Sequence, residues 1–337
     1  MTALDPAAAP GLPEAASRRS PLAAGALSRW RAPASVAALA LLPLVLPSQA
    51  LAVNVLIYGL YATGYNLLYG YTGLLSFGHA AFFGTGAYAT GIAIGAFGLH
   101  PLAAMALGIV LAGLLALAIG ALSIRSRGIY FAMVTLALAQ LVYYAALQAS
   151  GWTGGENGLR GFTVARIGLG PVGLDILDPA TKYAFVLACV AAALAAMSRI
   201  LASPFGAVIE AIRENEARAR ACGFDVERTK LLAFVLSGLF CGLAGALSAL
   251  HLSIVPLDSL AYPLSGTAVV MTLVGGAGTF FGPFLGALAV LVLEDSLSLW
   301  TSHWQLALGV VFILFVLFLP RGLGGAALAL GRLAWRR

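Results

Sequence analysis

The sequence has little charge and few groups that carry chemistry. Asp, Glu, Lys and Arg make up 9% of its 337 residues, and the two lysines are Lys182 and Lys230. Neither lysine ends a G-x-x-x-x-G-K-[ST] phosphate loop, and the H-E-x-x-H and G-x-S-x-G patterns of hydrolases do not occur. The three cysteines lie far apart and without metal-ligand spacing. We therefore predict that this chain is not an enzyme and itself binds no cofactor and no metal.

Hydrophobic residues, by contrast, make up 61% of the chain, and the mean hydropathy is +0.96. Apolar runs long enough to cross a bilayer, which needs about 20 residues, recur along most of the sequence. Because lipid leaves backbone groups no outside partner, such runs are expected to be helices. The sequence predicts an all-α, polytopic transmembrane bundle of about 8 to 10 spans. The net charge of +6 comes from basic residues at the ends of these runs, which indicates contact with a bilayer and no nucleic-acid role.

The distribution of Lys and Arg gives the chain an orientation. By the positive-inside rule, both termini and the charged loop 203–230 are predicted to be cytoplasmic, and the less basic segment 150–181 external. Residues 1–31, rich in Ala, Pro, Ser and Arg, are predicted to be a disordered cytoplasmic tail. Residues 32–321 would form the transmembrane domain, and residues 322–337 a cytoplasmic tail.

The loop 203–230 is the most highly charged stretch of the chain, with ten charged residues. Ser203 can cap a helix, Pro204 suits its first position, and Gly223 can end it in the left-handed conformation. The spacing predicts one short amphipathic helix between these residues, with Glu214–Arg218 and Glu216–Arg220 as ion pairs one turn apart. Its charged face is either a solvated connector or a docking surface for a cytoplasmic partner.

Two glycine-rich segments, 70–88 and 274–284, interrupt the apolar pattern. Small residues let helices pack closely, and glycine also allows a helix to unwind where it lines a cavity, so both packing and a translocation path are open interpretations. The second segment divides the stretch 264–293 into two helices or kinks a single one. The candidates for a translocation path are Gly73, Ser76, Gly78, His79, Gly84, Gly86, Gly275, Gly276, Gly278, Gly282 and Pro283.

Five blocks of the sequence resemble the inner-membrane permease of branched-chain amino acid ABC transporters. They are GLLSFGHAAFFGTGAYAT from Gly73, RGIYFAMVTLAL from Arg127, TGGENGL from Thr153, the stretch 205–247 around AIRENEARARACGFD, and GGAGTFFGPFL from Gly275. The resemblance implies a multi-pass protein of the bacterial inner membrane. It also implies partners: a second related permease, two cytoplasmic ATP-binding subunits that hold the ATP, and a periplasmic amino-acid-binding protein.

In this family a cytoplasmic E-A-A-type motif with a downstream glycine sits in a groove of the ATP-binding subunit. Glu216, Ala217 and Gly223 fall where the motif is expected, although Arg218 stands where a second alanine would be. The predicted ATPase-coupling residues are Glu210, Arg213, Glu214, Glu216, Ala217 and Gly223; the resemblance implies the last three, and the first three are charged residues of the same loop.

Other interpretations of the sequence remain open. Permeases for urea or short-chain amides are similar in architecture, so the cargo is not determined by this chain. An ion-coupled secondary carrier is a second possibility, but such carriers usually need acidic or histidine relays within the membrane, and ionisable residues are scarce in these spans. A purely structural membrane subunit is a third, which would leave both glycine-rich segments without a purpose.

Overall fold

In the computed structural model of this protein, the described residues are 38–46, 48–162, 166–167, 174–175, 178–300, 304–318 and 322–323. The tail predicted at 1–31 lies outside them, as does the tail at 322–337 except for its first two residues.

The described chain is almost entirely helical, which confirms the predicted all-α class. The helices, numbered α1 to α11 in chain order, are Gln49–Asn66, His79–Gly95, Pro101–Ser123, Ile129–Gln148, Pro179–Ala202, Pro204–Glu214, Glu216–Ala221, Val226–Leu252, Tyr262–Gly275, Gly282–Trp300 and Trp304–Phe318. A π-helical turn, Leu67–Tyr71, continues α1, and shorter helical turns lie at Leu42–Val45, Ser150–Thr153, Gly155–Asn157 and Leu257–Leu260. Two-residue strands β1 (Arg166–Ile167) and β2 (Leu174–Asp175) pair antiparallel.

Six of the described helices are long and apolar enough to cross a membrane: α1 with its π-helical turn, α3, α4, α5, α8 and α10. Three further apolar helices are shorter: α2 has 17 residues, α9 has 14 and α11 has 15. The molecule is therefore a multi-pass membrane protein. The predicted total of 8 to 10 spans depends on these shorter helices and stays a prediction.

Local signals in the sequence set where the long helices begin. The Ser48 hydroxyl accepts a hydrogen bond of 3.1 Å from the Leu51 amide at the start of α1. Asp178 caps α5 and Asp225 caps α8 in the same way, each by accepting a backbone N–H three residues further on. Each cap satisfies one of the free N–H groups of a first helical turn.

Helix α8 is the centre of the bundle and packs against α1, α2 and α3. Small residues allow this close contact: a Cβ at Gly245 would lie 1.8 Å from the Phe83 carbonyl oxygen, and one at Gly86 2.2 Å from the Gly242 oxygen. Without a hydrophobic driving force in lipid, such close packing is a main source of helix association. Helix α4 is much less enclosed. In its most apolar stretch 22% of the residues are buried, compared with 89% in α1.

The contacts between connecting segments group at two ends of the bundle. At the first, which we call the hairpin end, Leu159 and Val255 exchange two backbone N–H···O bonds of 2.9 Å. Lys182 Nζ also donates to the His251 carbonyl there, at 3.4 Å. The other end, which we call the junction end, holds α6, α7 and two glycine-rich turns. The first of these turns follows α1 and begins at Gly70, and the second lies between α9 and α10.

The three cysteines differ strongly in exposure. Cys241 is fully buried in α8, Cys189 is half-buried on α5, and Cys222 is exposed directly after α7. All three are free thiols.

Candidate coupling junction

Helix α6 packs on the junction end of the bundle and is amphipathic. Ile209 and Ile212 are 0% and 4% exposed, whereas Glu210 and Glu214 are exposed to solvent. Pro204 occupies the first helical turn as predicted. The predicted side-chain cap is wrong, because the Ser203 hydroxyl instead donates a 2.6 Å hydrogen bond back to the Ile200 carbonyl.

The prediction of one helix from Ser203 to Gly223 is also wrong, because the segment folds as two helices. The backbone of Asn215 is extended, with φ −158° and ψ 100°, and this breaks the helical ladder. The Asn215 side chain then accepts a 2.9 Å hydrogen bond from the Arg218 amide and so caps α7. At the end of α7, Gly223 takes a φ of 86°, the left-handed conformation that was expected of it.

The break also changes the ion pairs. Glu214 and Arg218 stand on opposite sides of Asn215, and no ion pair joins them. Glu216 pairs with Arg220 at 3.2 Å as predicted, and it also accepts a 2.6 Å hydrogen bond from Lys230 in the first turns of α8. Ala217, beside it on α7, is exposed. Glu216 therefore fixes α7 to the bundle.

This pairing alters the acidity of Glu216. Burial by itself would raise the pKa of the carboxyl, but the hydrogen bond from Lys230 and the charges of Lys230, Arg127 and Arg220 outweigh burial and lower the pKa below its ordinary value of 4.5. Glu216 is therefore a carboxylate at neutral pH.

Arg213, near the end of α6, turns toward the bundle. Its Nη1 donates a hydrogen bond to the Gly70 carbonyl in the π-helical turn after α1. Two glycines lie close to the Arg213 side chain. A Cβ added to Gly73 would lie 3.2 Å from the Arg213 Cγ, and a Cβ added to Gly278 would lie 2.7 Å from the Arg213 Nη1. A cation beside the carbonyl end of a helix is favourable, because the helix dipole is negative there. The rest of Arg213 is exposed.

Asn66, one turn earlier in α1, holds the second glycine-rich turn. Its Nδ2 donates to the Thr279 carbonyl and its Oδ1 accepts from the Gly278 amide, both at 2.9 Å. Asn66 is 1% exposed, so both halves of its buried amide are satisfied. A Cβ on Gly70 would lie 1.9 Å from the Asn66 Oδ1 and 2.5 Å from the Gly278 nitrogen. Glycine at position 70 is therefore what lets these groups meet.

Together these contacts define the coupling junction: Asn66, Gly70, Gly73, Arg213, Gly278 and Thr279. It brings three of the residues predicted from the sequence, Gly73, Arg213 and Gly278, into one place. The stretch 264–293 is two helices, α9 and α10, and the turn between them is part of the junction. Gly276 and Gly278 in that turn have φ of 109° and 76°, which favour glycine.

The residues that follow Gly73 lie deeper in the bundle. Ser76 is buried and its hydroxyl accepts a 3.2 Å hydrogen bond from the Gly78 amide. His79 is fully enclosed, and its Nε2 lies 2.9 Å from the Ser237 hydroxyl, which donates to the Gly64 carbonyl at 2.6 Å.

The other candidates for the path lie where helices touch. Gly84 faces Leu260, Gly86 faces Gly242, and a Cβ on Gly275 would lie 1.9 Å from the Gly282 oxygen. Pro283 is buried in the first turn of α10. These contacts account for small residues as helix packing, and a role for them in translocation stays a prediction.

Sequence reasoning missed Asn66, Gly70, Thr279, Lys230 and Ser237. Two of them carry a signal in the sequence: Asn66 is an amide inside an apolar run, and Lys230 is one of only two lysines. Among the described residues, no three of the His, Cys, Asp and Glu side chains cluster as metal ligands would, and the absence of a bound metal stays a prediction.

A cavity of about 450 Å³ lies toward the hairpin end, between α2, α3 and α4. Its lining is almost wholly apolar, with Thr85, Tyr88 and Thr153 as its polar residues. Thr85 stands between Gly84 and Gly86 on α2. The cavity is separate from the coupling junction and shares no residue with it.

Helical bundles with long apolar spans and glycine-broken helices are found among membrane transporters. Residues 49–319 match the family described as branched-chain amino acid transport system / permease component. The match covers most of the chain, which therefore belongs to this family.

The individual relatives are permease proteins of import systems that differ in cargo. The chain is 30% identical over 295 residues to the high-affinity branched-chain amino acid transport system permease protein LivM of Escherichia coli (strain K12), covering 80% of this chain and 68% of that protein. It is 35% identical over 127 residues to the ribose import permease protein RbsC of Bacillus subtilis (strain 168), covering 35% of this chain and 39% of the relative. The autoinducer 2 import system permease protein LsrC of Klebsiella pneumoniae is 31% identical over 183 residues, or 50% of this chain and 49% of the relative. No solved structure matches the chain significantly.

Proposed function

We propose that this chain is the membrane-spanning permease subunit of an ATP-driven, binding-protein-dependent importer of branched-chain amino acids in the bacterial inner membrane. The observation that carries the proposal is the α6–α7 pair, whose apolar side packs on the bundle while its charged side is exposed. ATP would be bound and hydrolysed by two cytoplasmic partner subunits, because the sequence has no phosphate loop of its own.

The orientation follows from the same charges. Arg125, Arg127 and the basic residues of α6 and α7 belong to the junction end, and by the positive-inside rule this end and both termini would face the cytoplasm. The hairpin end, with the segment 150–181, would then face the periplasm and receive the amino-acid-binding protein. A second related permease would complete the path.

Docking of the ATP-binding subunits would use Glu210 and Glu214 on the exposed side of α6, together with Ala217 and Gly223 around α7. Glu210 and Glu214 form no ion pair with any described residue, so their charge is free for a partner. Glu216 is different, because its carboxylate is already paired with Lys230 and Arg220. Its contribution to docking would be to hold α7 in place.

Transport follows from rigid-body alternating access. Closure of the ATP-binding subunits would move α6 and α7, and so favour one of the inward-facing and outward-facing states of the paired permeases. An apolar amino acid needs a mostly apolar path with a few polar groups, which exposed backbone and Ser or Thr hydroxyls can supply.

The test is reconstitution of this chain with its partner permease and ATP-binding subunits in proteoliposomes that contain the binding protein. We expect ATP-dependent uptake of leucine, isoleucine or valine and no uptake driven by a proton or sodium gradient alone. Uptake of urea instead would show that the proposed cargo, a branched-chain amino acid, is wrong. Gradient-driven uptake by this chain alone would overturn the ATP-driven mechanism.

The docking surface is tested separately with the Glu210→Lys/Glu214→Lys double variant. We expect at least a tenfold loss of ATP-binding subunits in co-purification, with normal membrane insertion, since reversing charges at a complementary interface adds repulsion. The matched control is Glu156→Lys/Asp258→Lys, which reverses two exposed acids at the hairpin end. Full co-purification of the first variant would show that α6 is a solvated connector.

A further inference from the structure

We propose that Arg213 is a positioning residue that transmits movement of α6 to the two glycine-rich turns, and that it does not itself hold the ATP-binding subunits. The proposal rests on the proposed function and deepens it. The simplest interpretation of an arginine on a docking helix is that its charge faces the partner. We infer instead that the charge of Arg213 faces the bundle.

The first argument is the direction of the side chain. Arg213 donates to the Gly70 carbonyl, which belongs to the π-helical turn that continues α1, and its Nη1 lies so near Gly278, in the turn between α9 and α10, that a Cβ there would be 2.7 Å from it. One side chain of α6 thus contacts both glycine-rich segments at once. Its remaining surface is exposed, so it stands between the bundle and whatever covers α6.

The second argument is that the two glycine-rich turns are already joined to each other. Asn66 bonds to both the Gly278 amide and the Thr279 carbonyl at 2.9 Å, and Gly70 is in contact with Asn66 and Gly278. A displacement of the Arg213 guanidinium therefore acts on α1, α9 and α10 together. Packed interiors of this kind transmit a small shift because they do not deform continuously.

The third argument concerns how α6 is attached. Its buried side chains Ile209 and Ile212 make apolar contacts, and the hydrophobic effect that holds them is non-directional. The Arg213–Gly70 bond is directional and charge-assisted, so it fixes the register of α6 against the bundle. Without it, α6 would still be covered by its partner but would move without carrying α1 along.

The experiment compares Arg213→Ala, Arg213→Lys and Arg199→Ala in the reconstituted complex. Arg199 is an exposed arginine in the last turn of α5, at the same end of the bundle, and so controls for loss of one positive charge. Three quantities are measured: co-purification with the ATP-binding subunits, basal ATP hydrolysis, and leucine uptake per ATP hydrolysed.

For Arg213→Ala we expect co-purification and basal hydrolysis within twofold of the wild-type complex. Leucine uptake per ATP hydrolysed should fall at least about tenfold, the size expected for loss of a charge-assisted hydrogen bond. Arg213→Lys keeps a cationic donor and should recover part of the uptake. Arg199→Ala should match the wild type.

Loss of co-purification in Arg213→Ala would overturn the proposal, because Arg213 would then be a docking residue. Unchanged uptake per ATP would overturn it too, as would an equal loss in Arg199→Ala. These outcomes differ from failure of the proposed function, in which the wild-type complex itself takes up no leucine, isoleucine or valine. If it takes up another cargo, that cargo replaces leucine in the same comparison.

Discussion

Lys230 donates a 2.6 Å hydrogen bond to Glu216, and the lysine side chain is only 9% exposed while the glutamate side chain is 30% exposed. The bond joins α7 to the beginning of α8, the central helix of the bundle. A nearly enclosed ammonium group has little water to solvate it, so its stability in that place depends on the carboxylate. This relationship makes α7 part of the folded core despite its exposed surface.

Replacing Glu216 with Gln should lower the free energy of unfolding by about 2 to 3 kcal/mol, because breaking an enclosed ion pair leaves one charge uncompensated. Thermal unfolding in detergent, followed by tryptophan fluorescence, would measure it. The Glu216→Gln/Lys230→Met double variant is the matched control and should recover much of the loss, since it removes both charges. Equal stability of Glu216→Gln and the wild type would contradict the role of the pair.

Stability should also depend on pH through the same carboxyl. The pKa of Glu216 is lowered in the folded protein, so its contribution is fully present above the ordinary pKa of 4.5 and is lost as the pH falls through the lower, folded value. Between pH 6 and pH 3 the midpoint of thermal unfolding should therefore fall more for the wild type than for Glu216→Gln. Parallel curves for the two proteins would argue against this linkage.

Gly70→Ala should open the coupling junction, because the added Cβ would lie 1.9 Å from the Asn66 Oδ1 and 2.5 Å from the Gly278 nitrogen. We expect hydrogen exchange of the peptide containing 276–279 to be at least about tenfold faster, as for loss of a buried hydrogen bond. Gly266→Ala on α9 is the control, since a Cβ there meets nothing within 4 Å. Unchanged exchange in Gly70→Ala would show that the junction adjusts without losing the Asn66 bonds.

Gly86→Ala tests the helix packing at the centre of the bundle. Its Cβ would lie 2.2 Å from the Gly242 carbonyl oxygen, which is backbone and cannot rotate away, so α2 and α8 would have to separate. We expect destabilisation of about 2 kcal/mol or more in thermal unfolding. The comparison is Gly309→Ala on α11, where the space around the glycine is open. A stable Gly86→Ala protein would show that the two helices can move apart at little cost.

The sequence predicted the helical class and the multi-pass character of the chain because hydropathy depends on local composition alone. It also predicted the amphipathic pattern that α6 shows and the left-handed end at Gly223, each of which is set by neighbouring residues. The break at Asn215 was missed because the charge spacing on both sides suits a continuous helix, whereas the Asn215 side chain favours a new cap.

The coupling junction could not be predicted from the sequence for a different reason. Asn66 and Thr279 are more than 200 positions apart, and their contact depends on how α1 packs against α9 and α10. Arg213 was identified as a coupling residue from its place on the charged loop. Its direction toward Gly70 is a property of the folded bundle, which no spacing rule expresses.

The different exposure of the three cysteines has a practical consequence. Cys222 lies in solvent at the end of α7, Cys241 is fully enclosed in α8, and Cys189 lies half-buried on the apolar helix α5. A charged maleimide dye added from the aqueous phase would therefore label Cys222 ahead of the other two. The unaltered chain thus carries a natural attachment point for a fluorophore beside α6 and α7, where a change in emission would report the arrival of a partner.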